Sequence, residues 1–254
     1  MIRPAETAPE THPRASRMSD ADFTIDSLAE YLHLDRAQVA RLADRGQLPG
    51  RRVGGAWRFP PAEIHHWLEA RIGLSDDAGL THMEGALRRA DTVAGQEAVS
   101  IAELLPLEAI AIPLPARTRN SVIDSMVEAA ARTGWLWDPP QMAAAVRNRE
   151  EMHPTALENG VALLHPRRPL EAILGQGFLA LGRTDAGIPF GGSRGTLTDV
   201  FLLICSIEDR MHLRVLARLS RLLSDATFLS ELRAAPDARA VHELIERTEQ
   251  ELKV

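Results

Sequence analysis

The residues best suited to chemistry lie between Arg149 and Arg168. This segment joins an Arg149-Glu150 pair, His153, Thr155, an Asn159-Gly160 turn, a short apolar run and His165. A neutral imidazole is a competent nucleophile close to neutral pH, because its pKa lies nearby and one ring nitrogen keeps a lone pair. Asn159 and Gly160 both tolerate positive φ and predict a turn. Val161-Ala-Leu-Leu164 then reads as a short buried strand, stopped by Pro166. His165 is therefore expected at the end of a rigid strand, where the chain leaves the core, fixed in place yet reachable. Zinc binding by His153, His165 and His212 is the rival chemistry. It has neither a close i, i+4 histidine pair nor a matching carboxylate to support it.

Other elements must hold that segment. Ala109 to Leu114 alternates like a strand, and Thr118 to Thr133 carries a helical stripe of Val122, Ile123, Met126 and Val127. Asp138-Pro139 is suited to cap a helix from Pro140 to Arg147 that runs into Arg149. Gly177 to Gly182 and Leu197 to Cys205 are strand-like. Met211 to Leu223 is an amphipathic helix, and Ala226 to Arg233 and Ala238 to Leu252 form a helical tail. Strands alternating with helices predict an α/β sandwich. Gly191-Gly192-Ser193 and Gly195 read as a surface loop.

The spacing of the first segment resembles the phosphorylation site of enzyme IIA domains of the mannitol/fructose/nitrogen-regulatory branch of the bacterial phosphotransferase system. An Arg-Glu start, a Thr, and Asn159-Gly-Val-Ala-Leu-Leu-His165 place the His sixteen positions after the Arg. Where the family usually ends in Ile-Pro-His-Gly, this chain has Leu163-Leu164-His165-Pro166, and Pro166 offers no backbone N–H. A second marker, a strand followed by a His-Leu-x-x-Leu-Ala helix, is similar to Val200–Ile204 followed by His212–Ala217. The resemblance implies that His165 accepts a phosphoryl group from the carrier HPr. It also implies that His212 lies nearby at a helix start that favours anions. Arg149 would offset charge on the phosphoryl oxygens, and Thr155 would hydrogen-bond one of them. The likeness extends from about residue 99 to residue 247, and the unit is taken as 99–254.

Residues 22–73 form a second, smaller unit. Asp26 to Leu32 predicts a helix, and Asp35 is a good N-cap for another over Arg36 to Arg45. Gly54-Gly55 separates two short β-like runs that read as a hairpin, and a third helix is expected over Pro60 to Leu68. Helix, turn, helix and a basic hairpin with Trp57-Arg58-Phe59 resemble the excisionase-type, MerR-related winged helix-turn-helix. From Asp35 to Arg58, six arginines face two aspartates, a local charge of +4. The resemblance implies base contacts from Arg36, Gln38 and Arg41 and backbone contacts from Arg51, Arg52 and Arg58. Trp57 and Phe59 are expected to pin the hairpin. Two copies in a homodimer would read paired half-sites.

Composition bounds the rest. The chain has 254 residues, a formal net charge of −6 and one cysteine, Cys205, in an apolar run. The overall charge argues against a surface that coats nucleic acid everywhere, and one cysteine allows no intrachain disulfide, as suits a reducing cytoplasm. Residues 1–21 read as a disordered tail, 74–98 as a linker and 81–90 as a connecting helix within it. No apolar stretch predicts a membrane span. No cofactor is expected, and adjacent His65-His66 point in different directions on a helix. Three functions stay open: a regulatory phosphoacceptor joined to a DNA-binding unit, a phosphocarrier that passes phosphate to a IIB component with the first unit as a docking module, and a DNA-binding or scaffolding protein that is not phosphorylated.

Overall fold

The computed structural model describes residues 22–32, 34–60, 63–64, 67, 99–192 and 195–251. The expected tail (1–21), most of the linker with its connecting helix (81–90), His65-His66 and Ser193 lie outside the described residues. Of the third helix expected over Pro60 to Leu68, Glu63, Ile64 and Trp67 are described as helical.

The first unit begins with α1 (Ile25–Leu32) and α2 (Arg36–Asp44). The Asp35 carboxylate accepts the Ala37 amide at 3.2 Å, satisfying an otherwise orphaned donor at the start of α2. β1 (Arg51–Val53) and β2 (Ala56–Arg58) form the antiparallel hairpin, with Arg52 opposite Trp57. Phe59 bridges back to Phe23 through two backbone hydrogen bonds of 2.8 and 2.9 Å, which returns the chain to its own entrance. Phe23, Leu28, Val39, Phe59 and Ile64 form the small core, and Leu213 from the second unit belongs to the same cluster.

The second unit runs through α3 (Ile101–Leu104), β3 (Ile110–Ala111), α4 (Arg119–Ala131), α5 (Pro139–Met152), β4 (Val161–Leu164), β5 (Phe178–Pro189), β6 (Leu197–Cys205), α6 (Asp209–Ser224), α7 (Ala226–Ala234) and α8 (Ala238–Glu251). Thr118 and Ser121 make a reciprocal capping box at α4, and Asp138 accepts the Gln141 amide at 2.9 Å at the start of α5. The four-stranded sheet has the order β3-β5-β6-β4, in which β5 and β6 are antiparallel while β3 and β4 run parallel to their neighbours.

Strand alternation divides the core in two. Val161, Leu163, Val200, Leu202 and Ile204 face the cluster built with α6, α7 and α8. Ala162, Leu164, Phe201, Leu203 and Cys205 face the cluster that includes residues of α4 and α5. β4 is buried on both faces, as its unbroken apolar run requires. Each of its leucines contributes about 1.5–3 kcal/mol by leaving water. Burial also pushes the Cys205 thiol pKa up.

Two strands differ from expectation. β3 stops at Ala111 instead of reaching Leu114. Pro113 has no N–H for the ladder, and pairing resumes where the Leu114 amide meets the Arg183 carbonyl at 2.7 Å. β5 continues past Gly182 to Pro189, with a register shift between Arg183 and Ile188 that breaks the alternation.

Candidate active site and nucleic-acid interface

β4 and β6 end side by side, since Leu164 pairs with Leu203 in a parallel register. His165 follows β4, and Ser206 follows β6 and leads into α6. The turn before β4 is fixed at several points. Gly160 has φ 83°, and a Cβ there would lie 2.8 Å from Arg233 Nη2, so glycine is required on both conformational and steric grounds. Arg233 donates to both Asp199 oxygens at 2.8 and 2.9 Å and to the Asn159 carbonyl at 2.7 Å. Its hydrogen bond to Asp199 raises the guanidinium pKa in spite of partial burial. Asn159 Nδ2 donates to the Leu223 carbonyl at 2.9 Å, tying the turn to the end of α6.

The His165 Nδ1 lies 2.8 Å from the Leu163 carbonyl. A carbonyl oxygen only accepts, so Nδ1 carries the proton and the lone pair of the neutral ring is on Nε2. The His212 ring lies against it, with centroids 4.9 Å apart and planes tilted by 57°. His212 is in the opening turn of α6, and its Nδ1 is 3.2 Å from the Ser206 hydroxyl.

His165 is 2 % exposed, and His212 is buried as well. The strand end holds His165 as expected, but the ring is not reachable in this conformation. The reason is non-local: α6, which begins only after β5 and β6, brings His212 against the ring.

Thr155 lies along the edge of β4 away from β6. The Leu163 amide donates to the Thr155 carbonyl at 3.3 Å, so Thr155 and His165 both bond to the backbone of Leu163. The Thr155 hydroxyl donates to the buried Glu150 carboxylate, and its amide donates to the other carboxylate oxygen at 3.2 Å. Arg149 is buried at the end of α5, and its Nη1 donates to the His153 carbonyl at 2.6 Å. His153 is exposed and caps α5.

Three organising residues were not among the candidates. Glu150 gathers Thr155 and Arg119, whose Nη2 is 3.2 Å from its carboxylate, and Arg119 also lies over Phe190 at 5.5 Å. Ser206 orients His212. Glu150 could be suspected from its place beside Arg149. Arg119 and Ser206 carry no local signal. Among the described residues, no group of three or more His, Cys, Asp or Glu is arranged to hold a metal ion. No helix among the described residues is long and apolar enough to cross a membrane.

In the first unit, Arg36, Gln38 and Arg41 are exposed on α2. Arg36 pairs with Asp26 at 2.6 Å, Arg51 with Asp22 at 3.0 Å and Arg52 with Asp44 at 3.0 Å. Arg52 also lies 5.1 Å from the Trp57 ring, whose Nε1 donates to the same Asp44. Arg58 is half-buried and folds back on the Trp57 carbonyl. Phe59 is fully buried and Trp57 stacks on it at 5.9 Å, so both pin the hairpin. Exposed ion pairs contribute roughly 0–1 kcal/mol each, little enough for a phosphate to displace the aspartates.

Comparison with known proteins agrees with this fold. The family model of the phosphoenolpyruvate-dependent sugar phosphotransferase system, EIIA 2, matches residues 103–248, and that of a helix-turn-helix domain matches residues 23–72. A nitrogen regulatory protein of Bradyrhizobium diazoefficiens is 34% identical over 150 residues, covering 57% of this chain and 94% of that protein. One of Escherichia coli is 26% identical over 136 residues, covering 52% of this chain and 81% of that protein. The crystal structure of nitrogen regulatory protein IIA-Ntr from Neisseria meningitidis shares the fold, with a TM-score of 0.52 at 22% identity, over 57% of this chain and 98% of that one. The chain thus belongs to the EIIA 2 family of the phosphoenolpyruvate-dependent sugar phosphotransferase system and carries a helix-turn-helix domain ahead of it.

Proposed function

We propose that this protein is a cytoplasmic regulator in which His165 accepts a phosphoryl group from an HPr-type phosphocarrier, and in which that state modulates an attached DNA-binding unit. The units are 22–73 for DNA, 74–98 as the linker and 99–254 for phosphate, with 1–21 as a tail. The observation that carries the reading is the Leu163 carbonyl on His165 Nδ1, which leaves Nε2 as the nucleophile beside a second imidazole.

In the proposed step the Nε2 lone pair forms a P–N bond as the donor's P–N bond breaks, and the donor imidazole leaves with the electron pair. The proton on Nδ1 stays in place. The ring gains positive character as the bond forms, and the Leu163 carbonyl dipole stabilises it. His212 donates from its ring to a phosphoryl oxygen, and Arg149 offsets charge nearby. Thr155 acts by position, because its hydroxyl proton is already given to Glu150. Arg36, Gln38 and Arg41 read bases while Arg51, Arg52 and Arg58 contact the DNA backbone, in a homodimer that doubles the footprint.

Incubation with phosphoenolpyruvate, enzyme I and HPr tests the first half. Acid-labile phosphate is expected on the wild type and none on His165→Ala. Absence from the wild type would favour the reading as an unphosphorylated DNA-binding protein, for which the burial of His165 speaks.

A further inference from the structure

The helix that sets His212 against His165 also carries Leu213, which is buried in the first unit's cluster. Val215, Leu216, Leu219, Leu222 and Leu223 of α6 pack into the main core of the second unit. Leu213 belongs to a different cluster, and the roughly 100° between successive side chains on a helix turns it away from its neighbour His212. Leu213 is 3 % exposed and lies in the apolar cluster of the winged-helix unit with Phe23, Leu28, Val39, Phe59 and Ile64. Adjacent residues of one turn therefore serve two units, His212 against the His165 ring and Leu213 in the core of the first unit.

We infer that the start of α6, at Leu213, is the docking point of this chain's own winged-helix unit, and that docking there and phosphoryl acceptance at His165 oppose one another. The inference rests on the reading of His165 as phosphoacceptor. In-line transfer needs the donor phosphorus within about 3–3.5 Å of Nε2. His165 is 2 % exposed with the His212 ring against it, so a carrier protein reaches Nε2 only after the opening turn of α6 shifts. That shift moves Leu213 with it, and a leucine leaving a packed core loosens what it was packed against. The first unit is thereby a brake on phosphorylation. By reciprocity, a phosphoryl group that holds the turn open weakens docking of the first unit.

The test uses the full chain and two variants, Leu213→Asp and Leu213→Ala, the second guarding against misfolding of the first. Hydrogen exchange over residues 22–60 reports docking. The initial rate of phosphate uptake from phosphoenolpyruvate, enzyme I and HPr reports access. Both variants are expected to exchange faster in the first unit and to take up phosphate about five-fold faster or more, the lower end of ordinary coupling between sites. Phosphorylated wild type is expected to show the same faster exchange. Equal uptake rates in all three chains, or exchange unchanged by phosphorylation, would overturn the inference and leave the phosphoacceptor standing. No uptake by any chain, with exchange still faster in the variants, would instead remove the phosphoacceptor reading and the coupling built on it.

Discussion

A hydrogen bond from Nδ1 to the Leu163 carbonyl leaves the His165 lone pair on Nε2, the atom that the proposed function uses, and the residues around it divide into those that touch the ring and those that place it. His212 belongs to the first kind. Replacing it with Gln keeps one donor but loses the ring, and phosphorylation is expected to slow by about 10–100-fold, less than the roughly 100–1,000-fold lost when an anion-stabilising donor is removed outright. Single-turnover uptake measures this, and an unchanged rate would make His212 a packing residue only. Gly160 is of the second kind. Gly160→Ala is expected to cost about 1–3 kcal/mol through its positive φ and the crowding against Arg233, as chemical denaturation would show. The place of His165 after a strand is legible because Asn159-Gly160, the apolar run and Pro166 are all local signals. Its burial is not, because that depends on where α6 packs. Arg119 reaches Glu150 across 31 positions, which residue spacing does not encode. Ser206 is six positions from His212 but belongs to no motif that marks it.

At the scale of elements, the start and the end of the second unit are clasped by one buried carboxylate. Glu249 on α8 accepts from the Ile101 and Ala102 amides at 3.0 Å each, from the Ser100 hydroxyl at 2.9 Å and from Arg218 Nε at 3.1 Å. Burial alone would raise its pKa, but these four donors outweigh burial and hold it below the ordinary range. A depressed folded-state pKa gives stability that is complete above the unfolded value, about 4.3 for glutamate, and lost as pH falls through the folded value. Thermal unfolding of the wild type should therefore fall off below about pH 4.3, with Glu249 as one contributor. Glu249→Gln should be less stable at neutral pH by about 2–3 kcal/mol, since the buried ion pair with Arg218 is lost, and should show a weaker acid dependence. An identical pH profile in the variant would show that the clasp does not titrate. Helices with caps, such as α2, α4 and α5, are legible in the sequence, and so are the unbroken strands β4 and β6. β3 and the far half of β5 are not, because Pro113 and the register shift after Arg183 interrupt the periodicity that marks a strand.

The whole molecule joins a locally basic helix-turn-helix unit to a chain of net charge −6. Under the proposed function its DNA affinity should fall with salt, with a slope set by the number of phosphates the unit contacts. Arg41→Ala and Arg52→Ala are each expected to weaken a gel shift, and Arg52→Ala to reduce the salt slope by about 1 if it meets a phosphate. A slope unchanged by Arg52→Ala would take the hairpin off the DNA. The order of the two units is legible because each carries its own motif, whereas the meeting of Leu213 with the first unit's core is a property of the folded chain alone.

The central claim is the identity of one atom. After treatment with phosphoenolpyruvate, enzyme I and HPr, phosphorus and nitrogen NMR on the intact, isotope-labelled protein distinguishes phosphate on Nε2 from phosphate on Nδ1 and assigns the residue. The account predicts a single phosphoryl group on Nε2 of His165, with Nδ1 still protonated. Phosphate on Nδ1 of His165, on any other histidine, or on none would contradict it.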